Sequence, residues 1–360
     1  MAFFFAVIVV LFALPFFLNF FLYSSQNRYK FLFKLFCFFF LVVFLSNFSI
    51  ISEELVGDFI ENLVLSVFPF FFYIGALRVL GKYDEKFNIL FVYLLFIAVL
   101  SCYKVFDASA QIEAIQGLKR QTNWGNVFGA MMPFVFLIKE AKFKFFVFFC
   151  FSALLIVSLK RSGLLVMAFS TLVIFYPVVI KALISIKNFL TLFVVSSASI
   201  VVIYFFSTST YTIDFIDRAI SRIAASSDDG GSGRTGVWDL AIEVFKEGSV
   251  FEIFFGNGRG YFDYHTNNLG ILIGSAHNDF LNFLISYGVL GGVFVTLFTA
   301  RIFYLVFFFY TKKKYYFDFS LVTAFSFIVY SNLAGVFHYF YFFIPLFYAL
   351  VILEIKKISD

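Results

Sequence analysis

Long apolar runs separated by short basic loops dominate this chain and leave it few folds to adopt. Crossing ~30 Å of hydrocarbon takes about 20 residues at 1.5 Å each, with every backbone polar group bonded within the segment. Eleven stretches meet that need: roughly 2–22, 31–51, 63–80, 87–106, 123–138, 144–160, 163–180, 188–206, 286–310, 319–337 and 340–355. The fifth is the weakest. It is short and carries Asn123, Asn126 and Pro133, so a re-entrant segment is its alternative. Hydrophobic residues make up 62% of the 360 and charged residues 14%, where a soluble domain is nearer ~45–50% and ~25%. A soluble enzyme, a disordered chain and a secreted disulfide scaffold are excluded. The expected fold class is an all-α polytopic membrane protein of about 11 transmembrane helices, with one long outer loop containing short helices. The 63 phenylalanines read as a compositional bias that uses Phe as a generic lipid-facing side chain.

The net charge of +5 is modest, and its placement is more informative than its size. Lys and Arg gather in loops on the cytoplasmic side. The first apolar segment has no basic n-region and no small-residue cleavage site, so it reads as a span rather than a signal peptide. Arg28, Lys30 and Lys34 follow it, which puts its N-terminus outside. Threading onward, the inside loops receive Arg78/Lys82/Lys86, Lys139/Lys142/Lys144, Lys181/Lys187, Lys312/Lys313/Lys314 and Lys356/Lys357. Glu53, Glu54, Asp58 and Glu61 fall outside, as does the one long hydrophilic stretch. Three regions follow: helices 1–8 in residues 1–206, the outer loop in 207–276, and helices 9–11 in 277–360. No P-loop or inward nucleotide-binding domain occurs. Cys37, Cys102 and Cys150 are far apart in sequence and form neither a zinc motif nor a redox pair.

The outer loop and its borders hold the chemistry. In residues 211–225, Ile213, Ile216, Ile220 and Ile223 recur at helical spacing, with Asp214, Arg218 and Arg222 four apart on the other side. That pattern suits a surface ion pair or a basic stripe at the membrane surface. After a Gly/Ser/Asp cluster, a helix is predicted with Trp238, Ala241, Ile242 and Phe245 on one face and Gly248 ending it. Arg234 stands at its start. The helix dipole disfavours a cation there, so Arg234 wants an anionic partner: Asp228 or Asp229, or a ligand phosphate. The stretch GNGRG (256–260) reads as backbone turns, since it lacks the strand and the Lys-Ser/Thr of a nucleotide loop. His277 precedes a helix capped by Ser275 or Asn278, where the positive helix end keeps the imidazole neutral and basic. Gly288 and Gly291 permit close helix approach or a break before the ninth span. Lys160 and Arg161 sit at an outer helix end, where a charge must be paired, hydrated or snorkelling. His265, His277 and His338 all fall on the outer side, but no ligand spacing joins them with Asp263 or Asp279 into a metal site.

These residues resemble the O-antigen polymerase and O-antigen ligase superfamily of integral membrane glycosyltransferases. The resemblance rests on His277-Asn278, nine residues, Gly288-x-x-Gly291; on Arg234 with Trp238 upstream; on Arg161-x-Gly163 opening an earlier span; and on the GNGRGYF turn between. It covers about 158–291. It implies transfer of a glycan from an undecaprenyl-pyrophosphate donor on the periplasmic face of the inner membrane. No cofactor, metal or nucleotide sugar is expected, and no nucleic acid. It implies that Arg161 and Arg234 bind pyrophosphate and that His277 activates the acceptor hydroxyl. Asn278 and Trp238 follow as substrate-binding residues, and Arg218, Arg222 and Arg259, which match no motif position firmly, are secondary substrate-binding candidates. The partners implied are the lipid-linked oligosaccharide as donor and acceptor and the bilayer, with a chain-length regulator and a flippase.

The residue chemistry points the same way. Lipid pyrophosphate needs charge neutralisation rather than protonation as it leaves, so arginines can serve where a metal ion otherwise would. The favoured activity is O-antigen polymerase, because the compact length, the Phe-rich composition and the N-terminal half resemble polymerases. O-antigen ligase, transferring finished chains to lipid A–core, is the alternative with the same motifs. A flippase would place charges along a central intramembrane cavity, and here the polar residues gather in one outer loop. The orientation is testable by cysteine labelling of Ser232→Cys and Lys313→Cys proteins in intact cells, with the three native cysteines replaced. An impermeant reagent should label position 232 and spare position 313. The reverse pattern would overturn the topology.

Overall fold

A computed structural model describes residues 30–48, 66, 73, 77, 125–158, 160–184, 234–269, 276–337 and 340–358. All regular elements among them are helical. They are α1 (Lys30–Phe48), α2 (Gly125–Met131), a 3-10 turn (Met132–Leu137), α3 (Ala141–Ser158), α4 (Arg161–Ile184), α5 (Arg234–Lys246), α6 (Val250–Phe255), α7 (Tyr261–Asn268), α8 (Asp279–Lys312), a 3-10 turn (Lys314–Tyr316), α9 (Phe317–Leu333) and α10 (Phe340–Ile358). Only α8 among the described residues is long and apolar enough on its own measure to cross a membrane. The weak fifth stretch is the α2 helix running into its 3-10 turn, with Pro133 near the start of that turn. At 1.5 and 2.0 Å per residue the described part of this stretch reaches about 22 Å. It is largely buried, packed by α3, α4, α9 and α10.

Phenylalanine builds the interior, contrary to its expected use as lipid-facing filler. Phe39, Phe128, Phe294, Phe298, Phe309, Phe319, Phe327 and Phe347 are each almost fully buried. Phe39 stacks on Phe294 at 4.1 Å, Phe298 on Phe347 at 5.5 Å, and Phe169 on Phe325 at 3.9 Å. Rings with two soft torsions fill the space between helices at low entropy cost, and such pairs add about 0.5–1.5 kcal/mol beyond area burial. Other Phe residues, such as Phe146 and Phe307, do face outward.

α8 is two helices. Gly288 has φ 65 and ψ −163, which breaks the rod after its first two turns. The piece beyond the break is about 36 Å long, enough to span. A break frees carbonyls that must find donors. The GNGRG turn supplies them: Asn257 N–H donates to Ile285 O at 3.0 Å and Gly258 N–H to Ser286 O at 2.9 Å. The approach is so close that a Cβ at Gly256 would stand 2.3 Å from Tyr287 N, and one at Gly288 2.3 Å from Phe254 C. Both glycines also have positive φ, so no other residue suits either position.

At the other end of α8, Arg301 forks onto Glu354 of α10. Nε donates to Oε1 and Nη2 to Oε2, each at 2.7 Å. Glu354 is 1% exposed. The sequence reading treated the spans as essentially uncharged and missed this pair, whose members lie 53 residues apart. A buried pair adds little net stability, but removing one partner strands the other, at a cost of about 3–5 kcal/mol. Arg301→Leu and Glu354→Leu should therefore each lower the thermal stability of the detergent-solubilised protein sharply. The double substitution should recover much of the loss. Single variants as stable as the parent would mean that the pair is hydrated rather than buried.

Candidate active site

Two helix starts and one loop meet at one end of the helix bundle. The first start is that of α4. Lys160 O accepts from Leu164 N–H at 2.9 Å, and Ser162 Oγ donates to Asn126 Oδ1 at 3.0 Å. That second bond ties the first turn of α4, and so Arg161, to the buried α2 segment. It also gives a partner to the asparagine that made the fifth stretch a poor span. Gly163 lets α4 approach closely, since a Cβ there would lie 2.6 Å from Leu155 Cδ2.

The second start is that of α5, which begins at Arg234. Its inner face buries Ala241 and Val244, with Val237, Leu240 and Phe245 alongside, against Phe262, Ala276 and Ile285. The predicted face of Trp238, Ala241, Ile242 and Phe245 is thus rotated by about one residue, and Ile242 is exposed. Trp238 instead spends its indole N–H on Ala276 O, at 3.0 Å. Arg234 is one turn before Trp238 on the same face. The Trp238 bond therefore carries Arg234 to the residue after Ala276, which is His277.

Arg234 is half-buried. Burial first, then the charge of Arg161, holds its pKa below the ordinary arginine value. The charges of Arg161 and Arg234 repel in this partly desolvated place, and no acidic group among the described residues is paired with Arg234. Such a pair is complementary to an anion with two charged centres. Asp228 and Asp229, the carboxylates considered as partners for Arg234, lie outside the described residues, as do Arg218 and Arg222.

His277 is the only non-glycine among the described residues with positive φ, at 50°. Left-handed backbone costs a side-chain-bearing residue about 1–2 kcal/mol and persists only where neighbours enforce it. Here they do. Ala276 N–H donates to Asn282 Oδ1 at 3.0 Å, and Ala276 O accepts from Trp238. On the other side Asn278 Oδ1 caps α8 by accepting from Leu281 N–H at 3.1 Å, and Asn278 Nδ2 donates to Asn332 Oδ1 at 3.3 Å. Buried Asp279 accepts from Val336 N–H at 2.7 Å, fixing the turn after α9. His277 itself is half-buried. Burial, then Arg234, then Lys160 depress its pKa below the ordinary imidazole value. The sequence reading reached the same neutral imidazole through the helix N-terminus. The structure assigns the effect to burial and two cations, and gives the helix end to Asn278.

Arg161, Arg234 and His277 are therefore brought together, and Trp238 and Asn278 join them through hydrogen bonds within the protein. Arg259 sits on the turn at the break in α8, where its charge acts on Asp279 and Tyr287. Sequence reasoning noted Lys160 but gave it no place in the site, and it passed over Asn282 and Asn332. Asn282 was within reach, one turn after the cap. Asn332 carried no signal, since it lies 54 residues from its partner. No group of His, Cys, Asp or Glu among the described residues could hold a metal ion.

Residues 146–296, less than half of the chain, match the family model described as O-antigen ligase. The matched segment contains Arg161, Arg234, Trp238, Arg259, His277, Asn278 and Gly288, and it supports the O-antigen polymerase and ligase superfamily. Members of that family are integral inner-membrane, glycosyltransferase-like enzymes that act on lipid-linked glycans. No curated protein matches the chain.

Proposed function

We propose that this chain is an O-antigen polymerase, joining undecaprenyl-pyrophosphate-linked repeat units on the periplasmic face of an eleven-span bundle. The observation that carries the reading is the convergence of Arg161 and Arg234 beside a neutral, conformationally fixed His277. The arginines receive the donor pyrophosphate. The acceptor hydroxyl oxygen attacks the anomeric carbon, and its proton passes to the His277 imidazole. The bond to the pyrophosphate oxygen breaks with its electron pair, and lipid pyrophosphate leaves as an anion held by the guanidinium groups. Each charged hydrogen bond is worth roughly 1.5–3 kcal/mol, and a positioned base roughly 10²–10⁴-fold in rate. A base on one side and arginines on the other suit direct displacement with inversion. Lys160 adds a third positive charge on the His277 side. Chain-length control and delivery of the donor fall to separate partner proteins.

The description of the matched family favours a second reading, ligation of finished chains to lipid A–core. Both use the same site chemistry, and the cell separates them. Deleting a polymerase should leave lipopolysaccharide capped with a single repeat. Deleting a ligase should leave bare core and stranded lipid-linked polymer.

The site itself is tested in purified protein with lipid-linked repeat. Arg161→Ala and Arg234→Ala should each lose about 10–100-fold in kcat/KM, the equivalent of one charged hydrogen bond. Lysine should restore only part, because a point charge lacks the bidentate fork. For His277, the base form is the deprotonated one. The rate should rise with pH through a pKa below the usual ~6.5 and level off by neutrality. His277→Ala should lower turnover by about 10²–10⁴-fold and abolish that acid limb. His277→Gln keeps a hydrogen bond but accepts no proton at neutral pH. If Gln turns over like the parent with the same pH profile, the imidazole orients the acceptor and takes no proton.

A further inference from the structure

We propose that Trp238 is a positioning residue, whose indole N–H fixes Arg234 against the His277 loop, rather than a platform for the sugar. The inference rests on the reading above for its catalytic consequence. An indole has a single donor, and Trp238 commits it to Ala276 O at 3.0 Å. The peptide that accepts it cannot swing away, because Ala276 N–H is held by Asn282 Oδ1. The next residue is His277, in its left-handed conformation. One helical turn, one hydrogen bond and one peptide therefore connect Arg234 to His277. Beside this bond, α5 packs Val237, Leu240, Ala241 and Val244 in an apolar cluster with Phe262, Ala276 and Ile285, which can slide where a hydrogen bond cannot.

The charged surroundings of His277 make the link measurable. The charges of Arg234, on α5, and Lys160, just before α4, act on it, and the charge of Arg161 acts on Arg234. From α8 the nearest carboxylate, Asp279, is turned to Val336 N–H and influenced by Arg259. From α9 the neighbouring side chain is the uncharged Asn332, bonded to Asn278. Loosening Arg234 removes a positive charge from beside the imidazole and so raises its pKa.

The experiment uses the full chain in lipid nanodiscs, without substrate, with isotope-labelled histidine followed by NMR from pH 5 to 8. The chain has 3 histidines, and the His277 signal is identified by its loss in His277→Gln. Trp238→Phe keeps an aromatic ring and removes the N–H, and Trp238→Leu serves the same end if the Phe protein is not recovered folded. The expected result is a His277 pKa that rises toward the ordinary ~6.5. In an Arg234→Ala background the same substitution should add little further shift. An unchanged pKa in Trp238→Phe overturns the proposal. So does a shift of full size in the Arg234→Ala background, because the indole would then act through burial alone. A raised acceptor KM with an unmoved pKa would return Trp238 to sugar binding. Turnover is measured separately. A shift that appears in the NMR titration while His277→Gln retains full activity keeps the positioning role and removes the general-base role.

Discussion

A helix that stops inside or beside a membrane leaves carbonyls that no water is present to satisfy, and the rest of this site follows from how α8 meets that constraint. Its break at Gly288 exposes Ile285 O and Ser286 O, and both are taken by the N–H groups of the turn at 256–258. That pairing is possible only because two glycines let backbone meet backbone. It fixes α6 and the turn bearing Arg259 against the short first piece of α8. The same short piece begins at the Asn278 cap, so the His277 loop inherits its position from the break.

The electrostatics then follow from placement. Helix starts are poor places for cations, yet α4 and α5 each open with an arginine. Packing brings these ends together where solvent is partly excluded, and a third cation, Lys160, reaches the imidazole. Hydrogen bonds to the backbone on either side of His277 hold this cluster in place.

Much of this was legible in the sequence where the signal was local. The helix at Arg234, the Asn278 cap, the glycine break and the turns at 256–260 each announced themselves by residue type within a few positions. Arg161, Arg234 and His277 were recognisable because each stood at a helix border with a charge or proton affinity that the border made costly. What stayed hidden was non-local. Asn126 weakened its apparent span, and only packing shows that Ser162 uses it. The aromatic interior was misread because hydropathy scores a ring facing lipid and a ring facing another ring alike. Trp238 was placed among substrate contacts by resemblance, whereas its N–H has a backbone partner 38 residues away.

The Arg301–Glu354 pair has a consequence for how the chain reaches the bilayer at all. A guanidinium at the centre of an isolated helix costs about 2.5–3.5 kcal/mol on insertion, and Arg301 lies midway along the piece of α8 beyond the break. Synthesis delivers Arg301 first, and Glu354 follows within the last helix described. If α10 spans as proposed above, Arg301 gains its carboxylate only when Glu354 arrives, and the two helices partition into the bilayer as a joined unit.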